Sequence, residues 1–205
     1  MPTLEKELML LEKGYTCVAG VDEVGRGAWA GPIVAAAVIL PHGFDVSTLR
    51  DSKAMTRNAR ERVFDQIEKQ GASYALGIVE PGHIDKGGLT RANKRVMRSA
   101  VLGLPQQPDF VLVDGLMPIT IPMEYELIVD GDAKISAIAA ASIVAKVIRD
   151  RLMRGYHKIY PEYGFYNHVG YGTKQHQLAI KQYGVCALHR RSFRPIAQYL
   201  ASGVI

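Results

Sequence analysis

Two adjacent carboxylates, Asp22 and Glu23, stand in an apolar, strand-like run that ends at a Gly-Arg-Gly turn, within VAGVDEVGRGAWAGP. A charged side chain in an apolar strand costs free energy unless a partner compensates it. Two further acids occupy comparable points: Asp114 follows the apolar run DFVLV, and Asp132 lies in the segment DGD before a long helical pattern. Acids at the ends of strands in an open sheet often face one cleft, so these four residues are candidates for a shared site.

A cluster of carboxylates is suited to hard divalent cations. Oxygen ligands favour Mg²⁺ or Mn²⁺, and two such ions stabilise the attacking and the leaving oxygens of a phosphoryl displacement. Local explanations also exist, because Asp132 could cap the helix that it precedes and Asp114 could be a turn residue. The adjacent pair Asp22 and Glu23 has no comparable local explanation. The pattern therefore predicts a metal site, with two of its members open to a purely structural interpretation.

The elements around these acids follow an α/β order. Apolar runs that are short and β-rich predict strands, and apolar residues three or four apart predict helices. A short, glycine-rich gap between the first two strands predicts a hairpin, and a turn-rich zone at 160–173 separates the sheet and its helices from a smaller helical tail. The predicted strands are 17–24, 33–40, 73–80, 109–113 and 124–129, and the predicted helices are 56–70, 90–104, 135–153, 172–183 and 193–201.

Composition places the chain among ordinary globular proteins. It has 205 residues, of which 48% are hydrophobic and 22% charged, which indicates one domain with a sizeable core. The net charge of +5 is compatible with a polyanionic partner. Two cysteines are too few for a disulfide framework. The first fifteen residues contain only a short apolar patch, MLL, which is neither a signal peptide nor a membrane span, so we expect a soluble, cytoplasmic protein.

The segment VDEVGRGAWAGP resembles the opening motif of the ribonuclease HII family, the type 2 ribonucleases H. Five further blocks occur in that family's order: DSK at 51–53, LVDG at 112–115, AAASIVAK at 139–146, GFYNHVGYGT at 164–173 and HRRSF at 189–193. The resemblance implies an α/β, ribonuclease H-like fold, with a mixed central sheet flanked by helices and a C-terminal helical extension. It implies a catalytic domain over residues 1–160, with residues 161–205 as a helical part packed on the same domain.

The resemblance also implies an activity. Members of the family hydrolyse the RNA strand of RNA/DNA hybrids, and they cut at the 5′ side of ribonucleotides embedded in duplex DNA, which leaves 5′-phosphate and 3′-hydroxyl ends and initiates ribonucleotide excision repair. Asp22, Glu23, Asp114 and Asp132 match the four metal-binding acids, for two Mg²⁺ or Mn²⁺ ions in the substrate complex. A monomer without membrane association is expected. The alternatives are a non-catalytic hybrid-binding module and a branched-DNA nuclease of the same fold.

Two segments match residues that read the ribonucleotide. Gly25, Arg26 and Gly27 match a loop that contacts the 2′-hydroxyl, largely through backbone groups, and Tyr171 matches a tyrosine that packs on the sugar of the next deoxynucleotide. Glycine allows the backbone to approach a sugar closely, and the 2′-hydroxyl is the group that distinguishes RNA from DNA. Taken alone, Tyr171 could equally be a half-buried turn residue.

Other polar groups are candidates for contacts with the substrate backbone. Ser52 and Lys53 are expected in a loop, and Ser142 and Lys146 are four residues apart, so they share one helix face and could meet one phosphate. Ser142 could instead be a packing residue and Lys146 a surface lysine. The predicted helix at 90–104 has a basic side that could contact phosphates or simply be solvated: Arg91, Lys94, Arg95 and Arg98.

The C-terminal block leaves further alternatives open. Arg190, Arg191 and Ser192 could contact DNA or brace the C-terminal helix. His168 and His189 are interpreted as orienting hydrogen-bonding groups rather than as metal ligands or proton carriers. Trp29 in the first turn is interpreted as a packing residue.

Overall fold

The computed structural model describes residues 1–203, which contain a mixed five-stranded sheet in the order β3-β2-β1-β4-β5. The central strand β1 is antiparallel to β2 and parallel to β4, and β4 is parallel to β5. This arrangement confirms the predicted hairpin and the mixed sheet. The strands are β1 (Val18–Val24), β2 (Ile33–Ile39), β3 (Ser73–Val79), β4 (Phe110–Asp114) and β5 (Glu124–Ile128).

Helices account for most of the remaining chain, and none of those within residues 1–203 combines the length and apolar character that crossing a membrane requires. Short 3₁₀ turns occupy Val46–Thr48 and Pro161–Tyr163. The α-helices are α1 (Glu5–Glu12), α2 (Arg57–Lys69), α3 (Pro81–Gly87), α4 (Leu89–Leu102), α5 (Gly131–Lys134), α6 (Ser136–Ile159), α7 (Phe165–His168), α8 (Lys174–Tyr183) and α9 (Arg194–Ala201).

The chain divides into two compact units whose segments alternate along the sequence. Unit 1 comprises Met1–Val24, Val34–Ile78 and Lys94–Val147, and unit 2 comprises Gly25–Ile33, Val79–Asn93 and the chain from Ile148 onward. The predicted division at residue 160 stays a prediction, and residues 204 and 205 of its C-terminal part lie outside the described residues.

Local signals predicted several elements well. The Thr56 hydroxyl accepts a hydrogen bond from the Ala59 N–H and caps α2, as its position before the helix indicated. Helix α6 continues to Ile159 instead of ending at residue 153, because no proline interrupts the chain before Pro161. Helix α1 was not predicted, since its buried positions are Glu7 and Leu10 rather than an apolar stripe.

In unit 1 the sheet and α6 lie unusually close together. A Cβ atom on Gly20 of β1 would stand 2.3 Å from the carbonyl carbon of Ala137, so only glycine permits this approach. Alanines at 139, 140 and 141 are fully buried and keep the helix surface flat. Strand β4 is buried on both faces at Val111, Leu112 and Val113, as its continuous apolar run predicted. This packing fixes the edge of the sheet at which the acids lie.

Candidate active site

In unit 1, three aspartates meet at one edge of the sheet. Strands β1 and β4 are parallel, and Val21 pairs with Val113, so the next residues, Asp22 and Asp114, follow at the same carboxyl-terminal edge. Asp132 lies in α5, which begins three residues after β5 ends. The turn between them uses Asp130 in the left-handed region, at a φ of 53°.

Asp22 is the most deeply placed of the predicted acids, at 4% exposure. Its Oδ1 atom accepts a hydrogen bond of 2.6 Å from the Glu23 N–H, and the Ser142 hydroxyl also donates to its side chain. The pKa of Asp22 is raised well above its ordinary value, first by burial and then by the charges of Glu23 and Asp114. Asp22 therefore interacts electrostatically with two other predicted acids, Glu23 and Asp114.

Asp114 links Asp22 to the third aspartate. Its Oδ1 atom accepts a hydrogen bond of 2.7 Å from the Gly131 N–H, and its carboxyl group is also hydrogen-bonded to Asp22. Burial raises the pKa of Asp114, the Gly131 N–H opposes this, and the nearby Asp132 charge raises it further. The four predicted acids thus form one connected group, in which the hydrogen bond between Asp22 and Asp114 requires a proton on one of the two carboxyl groups.

Lys53 supplies an internal cation to this group. Its Nζ atom lies 2.8 Å from Asp132 Oδ2, while its side chain remains 75% exposed. The hydrogen bond to Asp132 is the main cause of the raised pKa of Lys53. Arg60 donates hydrogen bonds to the carbonyls of Ser52 and Met55, and these contacts stabilise the loop that carries Lys53.

The two predicted serines are buried together. Ser52 Oγ lies 2.9 Å from Ser142 Oγ. Either hydroxyl can be the donor between the two serines, and the Ser142 hydroxyl is also hydrogen-bonded to Asp22. Ser142 therefore orients an acid in this structure, whereas Lys146, one turn later on α6, is only partly buried. Ser142 and Lys146 do lie one turn apart on α6, and their contact with a phosphate stays a prediction.

The ligand atoms of the four acids suit divalent cations, although their side chains are not arranged as a coordination shell. Across the described residues, no three acidic, histidine or cysteine side chains already converge as a metal centre. One oxygen of Asp22 and one of Asp114 accept hydrogen bonds from backbone N–H groups, and one oxygen of Asp132 accepts a hydrogen bond from Lys53. The donor set is nevertheless all oxygen. Burial, and after it the charges of neighbouring acids, raise the pKa values of Asp22 and Asp114, so a cation would stabilise their ionised forms. The four acids can therefore hold Mg²⁺ or Mn²⁺ once these side chains turn towards it.

In unit 2, the glycines of the first turn have different surroundings. Gly25 is buried at a φ of +91°, and a Cβ atom there would stand 2.2 Å from Arg149 Nε. Arg26 and Gly27 are exposed, and a Cβ atom on Gly27 would meet nothing within 4 Å. Gly25 thus serves the fold of the turn, while the Gly27 backbone is open to a ligand.

Arg149 is fully buried among backbone carbonyls. Its Nε atom donates to Pro32 O at 2.9 Å, Nη2 to Ala30 O at 3.2 Å, and Nη1 to Val169 O at 2.9 Å. Desolvation lowers its pKa from the ordinary arginine value. The side chain joins the first turn to the segment before Tyr171.

Arg190 is also fully buried and braces the same turn. It donates to Gly31 O through Nε and Nη2, at 3.0 and 2.8 Å, and to Arg26 O through Nη1, at 2.9 Å. Burial is the main cause of its lowered pKa, which falls to about 9. The neighbouring Ser192 donates through N–H and hydroxyl to Asp85. The sequence offered bracing of the C-terminal helix as one interpretation of this block, whereas the contacts seen brace the first turn and α3. Contact of the block with DNA stays a prediction.

Tyr171 is half-buried below Arg149, whose guanidinium carbon lies 5.5 Å from the centre of the ring. Its carbonyl faces His176 Nδ1 at 3.0 Å, and His176 Nε2 lies 3.0 Å from His189 Nε2. Because a carbonyl only accepts, His176 Nδ1 must donate, so His189 Nε2 donates to His176. His189 Nδ1 then accepts the Cys186 N–H at 2.9 Å. The histidines act as orienting groups, as the sequence predicted for His189.

The burial of this histidine pair keeps both rings neutral. Desolvation lowers the pKa of His176 to about 3 and that of His189 to about 4. Trp29 packs against the same region, since a Cβ atom on Gly172 would stand 2.2 Å from its ring, which confirms its interpretation as a packing residue.

Sequence reasoning did not single out Arg149 or His176. A signal for Arg149 existed: it lies four residues from Ala145 and from Met153, both fully buried, so it falls on the buried face of α6. No comparable pattern identified its acceptors, which are backbone carbonyls of distant segments.

Comparison with known proteins gives a consistent set of relatives. Residues 19–196 match the family model described as ribonuclease HII. The chain is 47% identical over 197 residues to ribonuclease HII of Desulfitobacterium hafniense strain DSM 10664 / DCB-2, covering 96% of this chain and 76% of that protein. It is 44% identical over 194 residues to ribonuclease HII of Syntrophotalea carbinolica, covering 95% and 93%.

Solved structures agree on the fold. Ribonuclease H2 from Pyrococcus horikoshii OT3 superimposes with a TM-score of 0.77 at 26% identity, covering 91% of this chain and 98% of that one. Bst-RNase HIII in complex with Mn²⁺ gives a TM-score of 0.71 at 18% identity, covering 91% and 70%, and supports the fold alone.

Proposed function

This chain belongs to the ribonuclease HII family, and we propose that it cuts at single ribonucleotides in duplex DNA as well as in the RNA/DNA hybrids on which an endoribonuclease of this family acts. The observation that carries the proposal is the position of Asp22, Asp114 and Asp132 at one sheet edge, where burial first and neighbouring acids second raise the pKa values of Asp22 and Asp114. Cleavage falls on the 5′ side of the ribonucleotide and leaves 5′-phosphate and 3′-hydroxyl ends.

The four acids hold the metal ions in this proposal. Enzymes of this family depend on divalent metal, and we propose two Mg²⁺ or Mn²⁺ ions on Asp22, Glu23, Asp114 and Asp132. Such ions supply the positive charge that activates water and stabilises the leaving 3′ oxygen. The chain's own residues orient the acids before an ion binds: the Ser142 hydroxyl holds Asp22, and the Gly131 N–H holds Asp114.

The first turn reads the sugar. Gly25, Arg26 and Gly27 follow Glu23 almost directly in the chain, and the exposed Gly27 backbone leaves room for a 2′-hydroxyl. Tyr171 offers the half-buried ring that packs on the following deoxyribose. Two separate readers of this kind restrict cutting in duplex DNA to a position that carries a ribose, and favour a ribose that precedes a deoxyribose.

The remaining candidates hold the substrate backbone. Lys53 carries an exposed ammonium beside Asp132, and Lys146 lies on α6. Ser52 and Ser142 bond to each other in the free protein, so a phosphate contact by either one requires this pair to open. We further propose that the protein acts as a cytoplasmic monomer in ribonucleotide excision repair.

The decisive experiment uses two labelled duplexes that differ by one hydroxyl. We expect wild type with Mg²⁺ to cut the duplex with one ribonucleotide once, at its 5′ side, and to leave the all-DNA duplex intact, with no cutting in EDTA. Gly27→Val and Tyr171→Ala should both reduce this cut while retaining duplex binding through phosphate contacts. Equal cutting of the two duplexes by wild type would refute the proposal.

The two other candidate functions leave features without a role. A non-catalytic hybrid-binding module has no use for four acids that repel one another in the free protein. A branched-DNA nuclease of the same fold has no use for the open Gly27 backbone together with Tyr171. The same gel excludes the first by cleavage and the second by its requirement for the hydroxyl.

A further inference from the structure

We propose that Arg149 is a positioning residue that holds the two ribose-reading segments, the Gly25–Gly27 turn and Tyr171, in one fixed arrangement. The inference rests on the proposed role of those segments. It assigns the accuracy of ribonucleotide selection to a buried side chain that touches no substrate. All of the contacts involved lie within unit 2.

One side of Arg149 supports the turn. Its Nε and Nη2 atoms donate to the carbonyls of Pro32 and Ala30, which follow the Gly-Arg-Gly. The side chain also lies directly under Gly25, where an added Cβ atom would stand 2.2 Å from Nε and 2.8 Å from Cδ. The turn therefore rests against the guanidinium at Gly25, and the segment that follows it is bonded to the guanidinium by two hydrogen bonds.

The other side of Arg149 supports the tyrosine segment. Its Nη1 atom donates to the carbonyl of Val169, two residues before Tyr171. Val169 is a β-branched residue in the left-handed region, at a φ of 44°, a conformation that persists only where its surroundings enforce it. The guanidinium carbon stands 5.5 Å from the centre of the Tyr171 ring, a distance suited to a cation–π contact.

The chemistry of guanidinium explains why arginine occupies this place. Burying a charge is costly, and an apolar side chain of similar volume would pack at lower cost. The planar fork of arginine, however, sends hydrogen bonds in fixed, divergent directions, so one side chain bonds three carbonyls from two segments. An ammonium on a flexible stem lacks this fixed fork, and a neutral amide has two donors.

The test compares Arg149→Lys, which keeps the charge, and Arg149→Gln, which keeps a planar amide, with the wild type. Arg151→Lys is the matched control, because Arg151 is an exposed arginine on the same helix. The measured quantity is a selectivity: kcat/KM on a duplex with one ribonucleotide divided by kcat/KM on a hybrid with a continuous RNA strand. Any loss of folded enzyme cancels in this ratio. Melting temperatures and duplex affinities in EDTA are recorded alongside.

We expect both Arg149 variants to lower the selectivity by roughly tenfold to a hundredfold, the scale of a reader misplaced by about 1 Å. On a continuous RNA strand neighbouring registers also offer a 2′-hydroxyl, so the misplaced turn is tolerated there. The fall should appear in kcat, with duplex affinity in EDTA retained, because the phosphate contacts are untouched. Arg151→Lys should match the wild type.

Each other outcome is decisive. An unchanged ratio in either folded variant overturns the inference, and so does an equal fall in Arg151→Lys. Failure of both Arg149 variants to fold also overturns it, because Arg149 would then only stabilise unit 2. Cutting of the all-DNA duplex by wild type would instead refute the proposed function. Failure of the proposed function can therefore be distinguished from failure of the inference about Arg149.

Discussion

Unit 1 and unit 2 bury charge in opposite ways. Unit 1 gathers acids at a sheet edge, where burial and mutual repulsion raise the pKa values of Asp22 and Asp114. Unit 2 buries two arginines whose hydrogen bonds go to backbone carbonyls, three of them from Arg149 and three from Arg190. The first arrangement leaves charge partly uncompensated, and the second uses charge to fix the course of the backbone.

The difference separates a site that needs an external partner from one that is already complete. Lys53 forms an ion pair with one of these acids, Asp132, while burial and neighbouring acids raise the pKa values of Asp22 and Asp114. A cation from solution therefore has binding free energy to gain there. The two guanidinium groups already donate hydrogen bonds to carbonyl oxygens, so they do not need an added anion. Their effect is on the conformation of the backbone segments that they join. Changes in unit 1 should act on the chemistry, and changes in unit 2 on selection.

The largest expected effect is the loss of one acid. Asp22→Asn or Asp114→Asn should lower kcat by about 10²–10³-fold or more, the loss that follows removal of an electrostatic group from a transition state. Each change also relieves repulsion, so the melting temperature without metal should rise. Cleavage assays in Mg²⁺ and thermal melts in EDTA measure the two effects. Near-normal turnover by both variants would remove these residues from the metal site.

Next in size is the contrast between two glycines of one turn. Gly25→Ala should destabilise the protein by about 1–3 kcal/mol, because the new methyl group meets Arg149 and the backbone lies at a φ of +91°. Gly27→Ala should leave the melting temperature nearly unchanged, since its Cβ would lie in open space. Denaturant titration of both variants measures the difference. Equal destabilisation would mean that Arg149 does not support the turn.

A smaller effect is expected from Lys53, which is exposed beside the acids. Lys53→Ala should reduce the slope of log affinity against log salt for a hybrid by about 1, the change for one lost phosphate contact. Lys69→Ala, an exposed lysine at the end of α2, is the control and should leave the slope unchanged. An unaltered slope in the Lys53 variant would place this residue outside the binding surface.

The smallest effect concerns the histidine pair of unit 2. Because His176 and His189 have folded-state pKa values near 3 and 4, against 6.5 as their ordinary value, their contribution to stability is complete above pH 6.5 and is lost as pH falls towards 4. The slope reaches about 1.4 kcal/mol per pH unit for each proton taken up on unfolding. His176→Gln should flatten this part of the curve of melting temperature against pH, while an identical slope would show that His176 is already charged in the fold.

Much of the fold could be predicted because its signals are local. The apolar runs of β1 and β2 with glycines between them predict a hairpin, and Thr56 before α2 predicts a cap. The acids were visible because a carboxylate in an apolar strand needs an explanation. Their position in one cleft was predicted because they stand at the ends of strands, and the parallel pairing of β1 and β4 places Asp22 and Asp114 at the same edge.

The remainder depends on partners that carry no side-chain signature. The acceptors of Arg149 and Arg190 are carbonyls, which every residue has, so no residue type identified them. Ser142 shows the same limit: its spacing from Lys146 predicted a shared face, whereas its hydroxyl is taken by Ser52 and Asp22. Helix α3, which begins at Pro81, was also not predicted, although its Asp85 holds Ser192 from a distant part of the chain.

The hydrogen bond from Arg190 to the Arg26 carbonyl spans 164 residues of sequence, which has a consequence for the time course of synthesis. A ribosome makes the sheet and its acids long before it makes Arg190, since Asp22, Asp114 and Asp132 all precede residue 190. The first turn cannot receive this hydrogen bond until residue 190 has been made, so the contact closes a very long loop of chain. A nascent chain thus contains its acids well before the arginine that braces its first turn.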